Sequence, residues 1–142
     1  MAIGTDAVIL AALLDHLGAL TFSPALPVAY PGVTFPAAGQ QKPENYVQVS
    51  FLPNQTETLS VGQGRQMHQG ILQVSVYWKA GVGYVKPLDV VDRIIQHFAK
   101  GTRIISGAVK VKIDNKPWVS GPLQEGDRVQ FPVTIPYRCF AV

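Results

Sequence analysis

The chain has a single cysteine, Cys139, so no disulfide can form within it. That fits a reducing compartment. It has three histidines, His16, His68 and His97, and neither their spacing to one another nor to Cys139 is that of a metal site. No cofactor or metal is therefore expected. Long apolar runs are missing too. The longest, Ala7 to Leu14, falls well short of the ~20 residues that span a bilayer, and no membrane contact is expected. The N-terminus lacks a basic n-region, so no signal peptide is expected. Charged residues are sparse at 15 %, but 47 % of the chain is hydrophobic, which excludes a disordered tail-like protein.

What charge there is lies unevenly. Residues 1–63 hold one base, Lys42, against Asp6, Asp15, Glu44 and Glu57, a net charge of −3. Residues 64–142 hold eleven bases against five acids, a net charge of +6. Such asymmetry suits contact with nucleic acid or head-to-tail subunit contact, and it also suits a plain solvated surface. A length of 142 residues fits one domain, spanning 1–142, with a core of its own.

Two segments have helical period. In residues 5–20, Leu10, Leu13, Leu14 and Leu17 fall on one face, with Thr5 as N-cap and Gly18 as stop. In residues 85–100, Leu88, Val91, Ile95 and Phe98 form a stripe, and Pro87 suits the first turn. Between them, residues 23–45 hold Pro24, Pro27, Pro31, Pro36 and Pro43, which predict a stiff extended connector. Val28 to Tyr30 could pair briefly at a sheet edge.

Four segments alternate with period two: 46–52, 71–79, 109–114 and 128–139. Val47, Val49 and Phe51, then Leu72, Val74, Val76 and Trp78, then Val109, Val111 and Ile113 mark the apolar face. So do Val129, Phe131, Val133, Ile135, Tyr137 and Cys139. One polar face per strand predicts a mostly antiparallel sheet of about four strands, with the two helices packed on one face: an α+β fold. Pro132 and Pro136 share parity, which predicts that the last strand is an edge strand. Residues 115–124 are expected to make a short strand or arm, turned back at Glu125 to Asp127.

The least ordinary segment is Pro53 to Gln69. It is longer than the ~12–15 residues usual for a structureless loop in a compact domain. Thr56 to Val61 have strand character, which predicts a long protruding hairpin with unpaired edges open to a neighbouring subunit. Simple disorder is the competing reading. Its Gly62-Gln63-Gly64 lacks both the strand-to-helix context and the Lys-Ser/Thr of a phosphate loop. The contact residues expected on this reading are Glu57, Arg65, Gln66, Met67 and His68 in the arm, together with Trp118, which follows Pro117 in an irregular stretch. A thiol enzyme using Cys139 and a histidine is the alternative from another class, although an inward-facing Cys139 suits a small core residue better.

The runs Asn45 to Pro53 and Gly70 to Val74, the His97-Phe98 helix end before Gly101-Thr102, and Phe131 to Ile135 resemble a family of small phage proteins. They are similar, in the same order along nearly the whole chain, to the tail terminator (tail completion) proteins of long-tailed, lambda-type phages. The resemblance implies a virion structural protein without enzymatic activity. It implies a self-assembled sixfold ring that caps the tail tube protein, stops its polymerisation and meets the head–tail connector proteins, with DNA passing through the lumen. A head completion or stopper protein of the same neck assembly is the nearest alternative. Gene order separates the two.

Overall fold

Every predicted strand forms, and shorter segments between them form strands as well. The computed structural model describes residues 5–20, 26–33, 35, 39, 41, 43–54, 57–58, 66–106 and 109–141. Helix α1 is Thr5–Gly18 and α2 is Val85–His97. The strands are β1 (Val28–Ala29), β2 (Tyr46–Pro53), β3 (Glu57–Thr58), β4 (Gln66–Lys79), β5 (Arg103–Ser106), β6 (Val109–Ile113), β7 (Trp118–Val119), β8 (Leu123–Glu125) and β9 (Arg128–Ala141).

The four-stranded antiparallel sheet expected from the alternation is corrected here. Among the described residues there is one nine-stranded sheet in the order β1-β2-β4-β9-β6-β5, with β3 attached to β4 and with β7 and β8 attached to β9. It is mixed, because β1 runs parallel to β2. The fold remains α+β. The additional strands are two to four residues long. So short a segment contains too few alternations to register as a period. Brief strands are nonetheless expected from the sequence at Val28 to Tyr30, Thr56 to Val61 and 115–124, and of the additional strands only β5 falls wholly outside those segments.

The edge-strand expectation for the last strand is also overturned. All fourteen residues of β9 pair with β4. On its other side β9 pairs in turn with β6, β7 and β8. Proline parity was informative in a different way. The carbonyls of Pro136 and Pro132 accept hydrogen bonds from the Asp114 and Ser120 N–H groups, at 3.2 and 2.9 Å. In an antiparallel strand a residue's N–H and C=O point to the same side. Both missing donors therefore face away from β4, toward the side where three short strands succeed one another. Pro136 stands at the break between β6 and β7, and Pro132 at the break between β7 and β8. The ladder with β4 is intact because neither proline owes it a hydrogen bond.

Register then assembles the core in rows across the sheet. Val47, Val76 and Phe131 lie opposite one another, as do Val49, Val74 and Val133, and Phe51, Leu72 and Ile135. Val111 and Ile113 of β6 extend the face beside Cys139 and Tyr137. Both helices cover this inner face: α1 lies against β5 and β6, and α2 against β4 and β9. Their buried residues are Ile9, Ala12, Leu13 and Leu17, and Pro87, Val90, Val91, Ile94 and Phe98. Each stripe is rotated by about one residue from the sequence expectation; Leu88 remains 42 % exposed. In α1 the cause is an almost uniformly apolar sequence, which fits more than one stripe at i, i+3, i+4 spacing.

The two helices meet at their C-terminal ends. His16 Nε2 donates to the His97 carbonyl at 2.8 Å, and His97 Nε2 donates to the His16 carbonyl. The rings stack with centroids 4.1 Å apart. Both carbonyls belong to the last turns of their helices, and each imidazole donates to a carbonyl of the other helix; the His16 carbonyl also accepts the Ala19 N–H at 3.2 Å. The two histidines are half-buried structural ties.

Candidate functional site

The helices cover the inner face, and the residues expected to make contacts lie in the arm and on the outer sheet face. The arm begins where β2 and β4, paired from Tyr46 opposite Tyr77 to Pro53 opposite Gly70, separate. The Asn54 N–H donates to the Gln69 carbonyl at 2.8 Å just beyond that point. Strand β4 continues to Gln66, with β3 on one edge opposite Gln66 and Met67 and β9 on the other. The returning limb of the arm is therefore a central strand here, with both edges occupied at Gln66 and Met67. The sequence reading gave it unpaired edges.

The base of the arm is built on a glycine. A Cβ on Gly70 would lie 2.6 Å from the Leu52 carbonyl oxygen, 2.7 Å from the Tyr137 hydroxyl and 2.8 Å from the Pro53 Cα. Tyr137 is the cross-strand partner of Gly70, and its ring stacks on Phe51 with centroids 5.6 Å apart. An aromatic ring lying over a strand glycine replaces the packing that the glycine lacks. Burial pushes the Tyr137 hydroxyl well above its ordinary pKa, and the nearby Asp6 carboxylate and Cys139 add to the shift.

The residues expected to make contacts fall in three different settings. Arg65 lies outside the described residues. Glu57 is in β3 and Gln66 opens β4. Met67 is buried, and His68 turns to the inner face with its side chain 13 % exposed. His68 Nδ1 sits 3.5 Å from the Asp6 carboxylate of α1. Trp118 stands on the outer face, opposite Thr134, and is 48 % exposed. Trp78, by contrast, is core.

His68 is also the cross-strand partner of Cys139, so a Cys, a His and an Asp come together. The chemistry nevertheless runs against a nucleophile. Cys139 is fully buried, and desolvation pushes its thiol up, with only a backbone hydrogen bond at Lys110 pulling the other way. A working thiolate needs a lowered pKa and an open approach. Among the described residues no three His, Cys, Asp or Glu side chains are grouped to hold a metal ion. No helix among them is long and apolar enough to cross a membrane.

The outer face divides in two. Toward β2, Tyr46 and Tyr77 stack at 4.7 Å, and the Arg128 guanidinium lies 5.7 Å from the Tyr46 ring centroid. Arg128 also donates to the carbonyls of Pro43 and Glu44, pinning the end of the proline-rich connector over this corner. Toward β5 the face is basic. Arg103 lies opposite Lys112, and Lys112 lies opposite Arg138, on three adjacent strands. Alternation already pointed Lys110 and Lys112 outward. Arg103 could not be placed from sequence, because β5 was not foreseen.

The comparisons with known proteins agree with this architecture. No curated protein matches the chain. One solved structure superposes with a TM-score of 0.72 at 23 % identity, covering 97 % of this chain and 96 % of that one, which establishes the shared fold. The family model of the phage tail terminator protein matches residues 8–137. That span takes in every element except the first three residues of α1 and the last four of β9. The chain therefore belongs to the phage tail terminator protein family and is a structural protein of the phage tail.

Proposed function

We propose that this protein assembles into a sixfold ring on the finished tail tube, ends tube polymerisation and offers its far side to the head–tail connector. The capping mechanism is complementarity on one side only. One surface matches the last ring of tube protein; the other cannot accept a further tube subunit. The observation that carries this reading, beside family membership, is the one-sided sheet: both helices cover one face, leaving the other, with Trp118, for partners. The arm supplies the remaining contacts through Glu57, Arg65 and Gln66. His68, on the inner face beside Asp6 of α1, holds the returning limb against the domain, while Met67 packs on the opposite side of the strand.

The test is complementation of a phage that lacks this gene. A protein deleted for residues 56–67 is expected to leave tails overlong and unjoined to heads, while the intact protein restores both length and joining. Tails of normal length on filled heads, made with the deleted protein, would remove the arm from the mechanism. Electron microscopy of the intact protein at high concentration reports the ring itself. A stopper of the head, the competing assignment, would instead purify with tailless heads.

A further inference from the structure

Three like charges stand side by side on the outer face. Arg103 on β5, Lys112 on β6 and Arg138 on β9 are in direct cross-strand register, and Lys110 lies one outward position along from Lys112. Like charges placed directly opposite each other destabilise a sheet. Among the described residues only Arg138 has a carboxylate partner, Asp114 at 3.1 Å. Among the described residues no ion pair is recorded for Arg103, Lys110 or Lys112, and all three are exposed. The buried Nε of Arg138 also lacks a hydrogen-bond partner among those residues. Among the described residues, the row thus bears an electrostatic cost that only the Arg138–Asp114 pair offsets.

We infer that this row is a binding site for the phosphate backbone of duplex DNA, held without regard to sequence. Neighbouring strands are about 4.8 Å apart, so the row spans about 10 Å. One DNA strand presents a phosphate about every 3.4 Å of axis, so the row covers about three of them. The row contains no aromatic ring or amide with which to stack on or read a base, only Ile105 beside Lys110. That composition suits contacts that position a duplex without reading it. A second copy of this chain is a poorer occupant. It has nine acids in all, and Asp6, Glu44, Asp89, Asp114 and Asp127 are already within ion-pair distance of a cationic or protonatable partner. The inference rests on the tail role proposed above, since a tail component works beside the DNA that the tail conducts.

The experiment is fluorescence anisotropy of a labelled random-sequence duplex, titrated with the intact protein across a salt series. Binding should weaken steeply with salt and be indifferent to sequence. The triple variant R103A/K110A/K112A should bind at least tenfold more weakly at low salt, with the slope of log K against log salt shallower by about 3. A control at Lys86→Ala, on α2 and away from the row, should leave both unchanged. Urea unfolding of the triple variant should show equal or greater stability, because repulsion is relieved. No salt-dependent binding by the intact protein, or an unchanged slope in the triple variant, overturns the inference. So does tighter binding to polyglutamate than to duplex at equal charge, which would make the partner an acidic protein. Tail length in the complementation assay is a separate readout: the triple variant should still cap tails at normal length, so failure here and failure of capping are distinguishable.

Discussion

The two faces of one sheet obey different rules, although they are built from alternate residues of the same strands. The inner face is a continuous apolar surface in which Val74, Val133 and Ile135 are fully buried under two helices. The outer face carries a tyrosine stack at one end, four bases at the other, and exposed Trp118 and Leu123 between. Alternation alone produces this division, since neighbouring side chains in a strand point to opposite sides. A substitution on the inner face should therefore be read in stability, and one on the outer face in assembly.

The sharpest test of the inner face is Gly70→Ala. Its Cβ would meet backbone atoms of Leu52 and Pro53, which have no alternative rotamer, as well as the Tyr137 hydroxyl. We expect a loss of about 1–3 kcal/mol in urea unfolding. An unchanged midpoint would mean that the base of the arm is looser than the close approach implies.

A smaller effect should appear on the alkaline side. Burial raises the Cys139 thiol, so the folded state keeps its proton longer than the unfolded chain does. The stability so conferred is complete below the unfolded thiol's pKa of about 8.5 and is lost as pH rises toward the folded value. Unfolding midpoints should fall between pH 8 and pH 10, and less steeply in Cys139→Ala. Equal slopes in the two proteins would show that the thiol is already ionised, or exposed, in the fold. Smallest of all should be the stability change in Trp118→Ala, within about 0.5 kcal/mol as for an exposed residue. The same variant should join heads poorly in the complementation assay if the outer face is where partners dock. A destabilised protein instead would place Trp118 with the core and blur the distinction between the faces.

How far the residues declared this arrangement varies from element to element. Both helices and the four long strands were readable because each repeats its period several times. The inward set from Val47 to Cys139 follows from the same alternation. Strands β1, β3, β7 and β8 fall in or overlap segments expected to pair briefly or to form an arm, although two or three residues carry no period; β5 was not foreseen. Proline parity on β9 was correct as a statement about direction and misleading as a statement about position. Pro132 and Pro136 require a side without ladder partners at two points, and three short strands with breaks between them meet that requirement as well as solvent does.

The candidate surface shows the same limit. Trp118, expected at a contact because it follows a proline in an irregular stretch, lies in β7 and is half-exposed. Met67 and His68 were expected at a contact; their side chains are buried and half-buried at the base of the arm. The basic row was invisible, because its three members come from residues 103, 112 and 138 and acquire a common line only through two registers.

By itself, then, the sequence determined which side of each long strand faces the core, where the two helices run, and that the charge is divided between an acidic first part and a basic remainder. These are local properties, written in spacing and composition. Only the tertiary structure decided that β9 is central, that His16 and His97 tie two helix ends together, and that Arg103, Lys112 and Arg138 stand in a row. Each of these depends on which strand or helix lies next to which, and adjacency across tens of residues is set by the packing of the whole sheet and not by any one segment of it.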